Sequence, residues 1–184
     1  MSPHPYEAPH LARNAANFAA LSPLYFLARA AAVYPDKIAV IDGERRFTYR
    51  QFYDRCRRFA EALRRRGIKP GDTVAVMAPN VPALLEAHYA VPMAGAVLNA
   101  LNTRLDARLI AFILRHGAAR LLIADREFAP VVTAALAELS SELPLVEIDG
   151  GTGGPPLAAI EYEDFLGEGD PGAEWQRPQD EWQA

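Results

Sequence analysis

Apolar residues recur at helical spacing along Phe52, Cys56, Phe59, Ala60 and Leu63, and this stripe predicts a helix over Tyr49 to Arg66. Thr48 and Gln51 stand three apart at its start, the spacing of a capping box, and Gly67 suits the left-handed residue that ends a helix. The stretch from Gly71 to Leu105 reads as strand, helix, strand. Thr73 to Ala78 is a short apolar run rich in β-branched residues, of the kind shown by a strand buried on both faces. Asn80 stands at the N-cap position of the next helix, where its side-chain oxygen can accept a first-turn N–H. That helix carries Leu84, Leu85, His88 and Pro92 on one stripe and Ala83, Ala87, Ala90 and Ala94 on another, and His88 reads as facing the core. Gly95 closes it and Ala96 to Leu101 is the next strand. A strand, crossover helix and strand of these lengths form a βαβ unit, which implies a parallel sheet.

The alternation extends on either side. Ser22-Pro23 starts a helix lined by Leu24, Leu27, Ala28 and Ala31, which Pro35 stops. Lys37 to Ile41 and Arg46 to Thr48 form a hairpin about Asp42-Gly43. After a polar break at Asn102-Thr103-Arg104, a helix runs from Asp106 to His116, with Leu109, Ile110, Phe112 and Ile113 apolar, and Gly117 ends it. Arg120 to Ala124 is another buried strand, and Asp125 caps a helix that reaches Leu139. Leu143 to Ile148 is a strand whose Pro144 marks an edge position, and Ile160 to Leu166 is a short helix. The expected fold class is α/β: a doubly wound, mainly parallel sheet flanked by helices, with an N-terminal β-hairpin. The expected organisation is a surface arm over residues 1–21, a folded unit over 22–166, and a polar tail or connector over 167–184.

Composition narrows the class. A hydrophobic fraction of 51% and a charged fraction of 23% describe a globular chain, and 184 residues are enough to bury a core. A net charge of −4 gives no reason to expect a nucleic-acid partner. The single cysteine, Cys56, cannot form an intrachain disulfide and suits a reducing compartment, so a cytoplasmic location is expected. No apolar run approaches the roughly 18–20 residues of a membrane span. No basic region followed by an apolar core marks a secretory signal, and the scarcity of acids before Tyr34 is read as an Ala-rich helix rather than a transit peptide.

Candidate chemistry is thin. The Gly150–Gly154 loop lacks the lysine a phosphate cradle carries, and Pro155 and Pro156 follow it, so it reads as a surface loop. Arg50, Arg55, Arg57, Arg58 and Arg65 lie off the apolar stripe of their helix. They could grip an anion, but they read as a solvated face, with Glu61 placed to pair among them. Cys56 falls on the apolar stripe and reads as a structural thiol. His4, His10 and His116 show no metal-ligand spacing, and Ser140-Ser141 lacks the Gly-x-Ser-x-Gly elbow. Glu161, Glu163 and Asp164 read as a solvated acidic turn, while Trp175 and Trp182 either dock on another domain or hang in solvent. No catalytic, cofactor-binding or metal-binding residue is assigned to the chain.

The order of segments adds a resemblance. Pro35 to Phe52 (P-D-K-I-A-V-I-D-G-E-R-R-F-T-Y-R-Q-F), Gly67 to Asn80 (G-I-K-P-G-D-T-V-A-V-M-A-P-N) and Ala90 to Leu105 (A-V-P-M-A-G-A-V-L-N-A-L-N-T-R-L) resemble the N-terminal part of the AMP-forming acyl-CoA synthetases. These belong to the adenylate-forming superfamily, with luciferases and the adenylation domains of peptide synthetases. The match covers about Ser22 to Ile148, and its wording is most similar to fatty-acyl-CoA ligases. The resemblance implies the first subdomain of the adenylate-forming fold. For the full-length family it implies ATP, Mg²⁺ and CoA, with a fatty or other carboxylic acid as substrate.

The family's phosphate loop, similar to T-S-G-T-T-G-x-P-K-G, is expected just after Ala184, and the later adenylation motifs are also missing. The chain is therefore expected to be an N-terminal fragment, inactive alone, needing no cofactor of its own, and prone to self-association through exposed apolar surface. The alternative is a stand-alone, non-catalytic α/β binding or interaction module. Arg104, exposed after a sheet strand, is the one residue singled out for a test of CoA contact.

Overall fold

A computed structural model of the chain describes residues 9–12, 14, 16–150, 155–157, 160–175 and 177–178. Helix α1 (Pro23–Val33) is capped by Ser22, whose side chain accepts from the Leu24 N–H, and it buries Leu24, Leu27 and Ala31. Strands β1 (Ile38–Asp42) and β2 (Arg45–Thr48) pair antiparallel about Gly43, whose φ of 57° a glycine takes without a Cβ clash. Helix α2 (Tyr49–Arg65) starts with the expected capping box: Thr48 Oγ1 accepts from the Gln51 N–H while Gln51 accepts from the Thr48 N–H. Its buried face is the stripe read from the sequence, with Cys56, Phe59, Ala60 and Leu63 fully enclosed. Gly67, at φ 83°, lets the chain turn out of the helix.

Strands β3 (Thr73–Met77), β4 (Val97–Ala100), β5 (Ala119–Asp125) and β6 (Leu145–Ile148) form one parallel sheet in the order β4-β3-β5-β6. Side chains alternate between its faces. On one face, Val74, Val76, Leu121, Ile123, Val146 and Ile148 join a core built with α1, α2, α3 (Pro82–Met93) and α6 (Tyr162–Gly167). On the other, Ala75, Met77, Leu122 and Ala124 pack with α4 (Ala107–His116) and α5 (Ala129–Ala137). Helices on both faces make the sheet doubly wound, as the strand–helix alternation predicts. The β6 edge meets a short parallel bridge between Glu147 and Glu161.

Local expectations change in α3 and α4. The N-cap of α3 is Val81, not Asn80, and no side chain caps it; Pro82 opens the helix, where its missing N–H is no loss. The α3 helix buries Ala83, Glu86, Ala87, Ala90 and Val91, so His88 is exposed rather than core-facing. Helix α4 buries Ile110, Ala111 and Leu114, whereas Leu109 and Phe112 turn outward, 43% and 53% exposed. As expected, Gly117 ends α4; it does so at φ −79°, and Ala118 takes the left-handed conformation. Gly117 meets a different demand: a Cβ there would lie 3.1 Å from the Ile113 carbonyl oxygen and 3.3 Å from Asn99 Nδ2.

Candidate functional site

In open parallel sheets the carboxyl ends of the strands are where ligands bind. Here those ends carry Ala78 to Asn80, the Asn102–Leu105 turn, Asp125-Arg126 and Asp149-Gly150. Their polar groups are mostly committed to one another. Asp125 is fully buried; Oδ1 accepts from the Glu127 N–H at 2.9 Å, capping a 3-10 turn (Arg126–Phe128) that precedes α5. The sequence reading has Asp125 capping the long helix directly; the turn intervenes. The other oxygen faces Gly150 so closely that a Cβ there would lie 2.6 Å from it. Arg126 pairs with Glu147 and, at 2.7 Å, with Asp149, and Glu147 also accepts from the Leu157 N–H. These bonds hold Arg126 above its ordinary range, the Glu147 bond foremost. Arg104 is exposed, and its own N–H donates to Asn102 Oδ1 at 2.9 Å in a tight turn.

The most enclosed charged cluster sits on the α2–α3 side. Glu86, with no solvent exposure, accepts from Arg55 Nε at 2.6 Å and from the Tyr162 hydroxyl at 2.6 Å. Arg55 also reaches Glu163 at 2.7 Å and lies over the Phe47 ring at 4.9 Å. Burial pushes the Glu86 carboxyl up against the pull of Arg55 and Tyr162. Burial would lower Arg55, but its bonds to Glu163 and Glu86 raise it overall. Burial pushes the Tyr162 hydroxyl up, and the neighbouring Glu86 adds to that. Every charge has a partner, and the cluster joins α2, α3 and α6. Its geometry suits holding these helices together.

The residues weighed as chemical candidates fall elsewhere. Cys56 is enclosed, and burial pushes its thiol well up, away from the reactive thiolate. His88 lies with Nδ1 2.8 Å from the Leu84 carbonyl oxygen and its ring at the rim of a 350 Å³ apolar groove between β1 and α3. His116 stacks on Phe112, His10 is exposed, and His4 lies outside the described residues. Glu161 caps α6, accepting from the Glu163 N–H. Gly151 to Gly154 and Trp182 lie outside the described residues.

The arginine face of α2 is not simply solvated. Arg57, Arg58 and Arg65 donate to the carbonyl oxygens of Ala173, Gly169 and Glu168. Glu61 pairs with Arg64 and Arg65. Trp175 docks on the chain's own helix, its Nε1–H donating to Tyr53 at 2.8 Å. Sequence reasoning missed Glu86 and this strap. The only signal for Glu86 was an acid between two small-residue turns.

The scaffold is an N-terminal hairpin followed by a doubly wound parallel sheet with helices on both faces. The family model of AMP-binding enzymes matches residues 27–180, and the chain belongs to that family. It is 49% identical over 188 aligned residues to an acetate–CoA ligase of Humulus lupulus, covering 95% of this chain and 33% of that protein. It is 48% identical to a peroxisomal acetate/butyrate–CoA ligase of Arabidopsis thaliana, covering 92% of this chain and 32% of that one. A crystal structure of a benzoate CoA ligase from Burkholderia xenovorans LB400 superposes with a TM-score of 0.71 at 30% identity, over 83% of this chain and 29% of the other. The chain spans about a third of the length of the curated relatives it matches. Among the described residues no helix is long and apolar enough to cross a membrane.

Proposed function

We propose that this chain is the first sheet-and-helix unit of an acid–CoA ligase and that alone it adenylates nothing. The observation that carries this is the 49% identity to an acetate–CoA ligase over 95% of the chain but only 33% of that protein. In the full-length reaction, a carboxylate attacks the α-phosphate of ATP, pyrophosphate leaves, and the acyl-adenylate passes to the CoA thiol. Among the described residues the carboxylates at the strand ends answer Arg126 and backbone N–H groups. What these residues do is hold up a sheet. The acid of the full-length enzyme is assigned as a carboxylic acid, fatty or otherwise. Cytoplasmic placement stays an expectation, since some relatives are named as peroxisomal.

The test is pyrophosphate release by the purified chain with ATP, Mg²⁺, CoA and a panel of acetate, butyrate, benzoate and palmitate. We expect none above the protein-free rate; turnover with any of the four overturns the reading. Leu109 and Phe112, which share the outer side of α4, support self-association of the isolated chain. A concentration-independent monomer in sedimentation favours the stand-alone interaction module instead.

A further inference from the structure

Residues 168–175 run antiparallel along α2. Glu168 lies at Arg65 and Arg66, Gly169 at Arg58, Ala173 at Arg57, and Trp175 at Tyr53. Three guanidiniums donate to backbone carbonyl oxygens, and Arg66 pairs with the Glu168 carboxylate. The approach is close: a Cβ on Gly169 would lie 2.0 Å from the Arg58 carbonyl oxygen, so no other residue fits without lifting the strap. A turn closed by the Gly172 N–H on Asp170 Oδ1 carries the chain from Gly169 to Ala173. The last anchor differs in kind. Trp175 packs on the core that contains α1 and α2, its ring 5.8 Å from that of Tyr25.

Solvent-accessible hydrogen bonds and ion pairs contribute little net stability each, because water replaces them when they break. The strap's bonds at Glu168 are exposed and those at Gly169, Ala173 and Trp175 are part-buried, and a segment held by polar bonds with little buried apolar surface opens at lower free energy than a packed core. The strap has one apolar anchor, at its far end, whereas α2 beneath it buries Cys56, Phe59 and Leu63 completely. We propose that residues 168–175 form a latch that opens as a unit while the sheet stays folded, with Trp175 as the residue that closes it. Closed, the strap occupies the guanidinium face of α2. Open, it frees that face. This stands on the strap's contacts alone and is independent of the ligase reading.

The chain contains two tryptophans, so a Trp182→Phe background makes Trp175 the only indole reporter. Trp175 emission and quencher access are followed against temperature beside far-ultraviolet circular dichroism. The latch predicts that Trp175 becomes exposed in a transition below the loss of helix signal. Tyr53→Phe removes the hydroxyl that accepts from the indole and lowers that first transition, leaving the second in place. Gly169→Ala lifts the strap, so Trp175 is red-shifted and freely quenched before heating, again with the second transition in place. A single coincident transition overturns the proposal. So does an equal shift of both signals in either variant, or Trp175 emission unchanged by Gly169→Ala.

Discussion

On one face of the sheet Phe59 lies at the centre of a stack, its ring 5.6 Å from Tyr162 and 5.5 Å from Phe165 in edge-on contacts. On the other, Phe112 of α4 is 53% exposed and meets the His116 ring of its own helix. The first face is covered by α2 and α3, joined by α1, α6 and the strap, and its buried acid is fully answered. The second is covered by α4 and α5, and α4 shows apolar residues on both its inner and its outer side. A helix with an apolar outer side suits a surface that is covered when something docks there. The difference lies in the enclosed aromatic stack and the answered acid, since both faces also carry exposed apolar side chains: Phe26, Val33 and Leu85 on the first, Leu109 and Phe112 on the second.

The largest expected effect tests the aromatic stack. Phe59→Ala removes a fully buried ring and both edge-on contacts, and should cost about 3–5 kcal/mol in urea unfolding. Phe112→Ala, the same chemical change on the opposite face, should stay within about 0.5 kcal/mol. Equal losses would erase the comparison. Phe112→Ala with Leu109→Ser should also weaken self-association, read as a lower weight-average mass in sedimentation at matched concentration.

Next comes the buried ion pair. Arg55→Met leaves Glu86 charged and enclosed, with only the Tyr162 hydroxyl to answer it, and should cost about 3 kcal/mol. Arg55→Met with Glu86→Leu should recover most of that, because removing both charges leaves nothing uncompensated. If the double variant is as unstable as the single, the cluster holds the helices by something other than charge balance. Thr48→Ala should cost about 1 kcal/mol, the usual value of a helix cap, and Gln51→Ala should cost less.

These sites differ in how far the sequence exposed them. The α2 stripe and its capping box were legible because both are local: period and spacing sit within one helix. So were the Asp42-Gly43 hairpin and the strand alternation, which already implied helices on both faces. In α3 the leucine stripe and the alanine stripe are both apolar, so periodicity could not say which turns inward. The alanines won, since small residues let α2 and α3 approach, and Glu86 went in with them because Arg55, distant in sequence, waits there. In α4 Leu109, Ile110, Phe112 and Ile113 are all apolar, so periodicity could not say which side turns inward; Ile110, Ala111 and Leu114 face the sheet. The strap was invisible for another reason: its recognition is through backbone carbonyls, which no composition reports.

The smallest effect concerns pH. Arg66 holds the Glu168 carboxyl below its usual range, and Arg64 with Arg65 does the same for Glu61. A carboxyl depressed in the folded state adds stability above its unfolded pKa and loses it as pH falls through the folded value. Glu86 runs the other way: raised by burial, its contribution is present below the ordinary glutamate range and lost as pH rises through its folded value. The two trends overlap near pH 4–5, so the whole-protein curve alone cannot separate them. Glu168→Gln isolates one. Near neutral pH it should lower the strap transition reported by Trp175 by only about 1–2 °C, because the pair is solvent-screened. As pH falls through the depressed folded value of Glu168 the variant and the parent should converge, since the parent carboxyl is then protonated as well. High salt should shrink the neutral-pH difference too, whereas the cost of Arg55→Met, set in an enclosed site, should persist. A Glu168→Gln effect that grows on acidification would mean that the strap is not held by this ion pair.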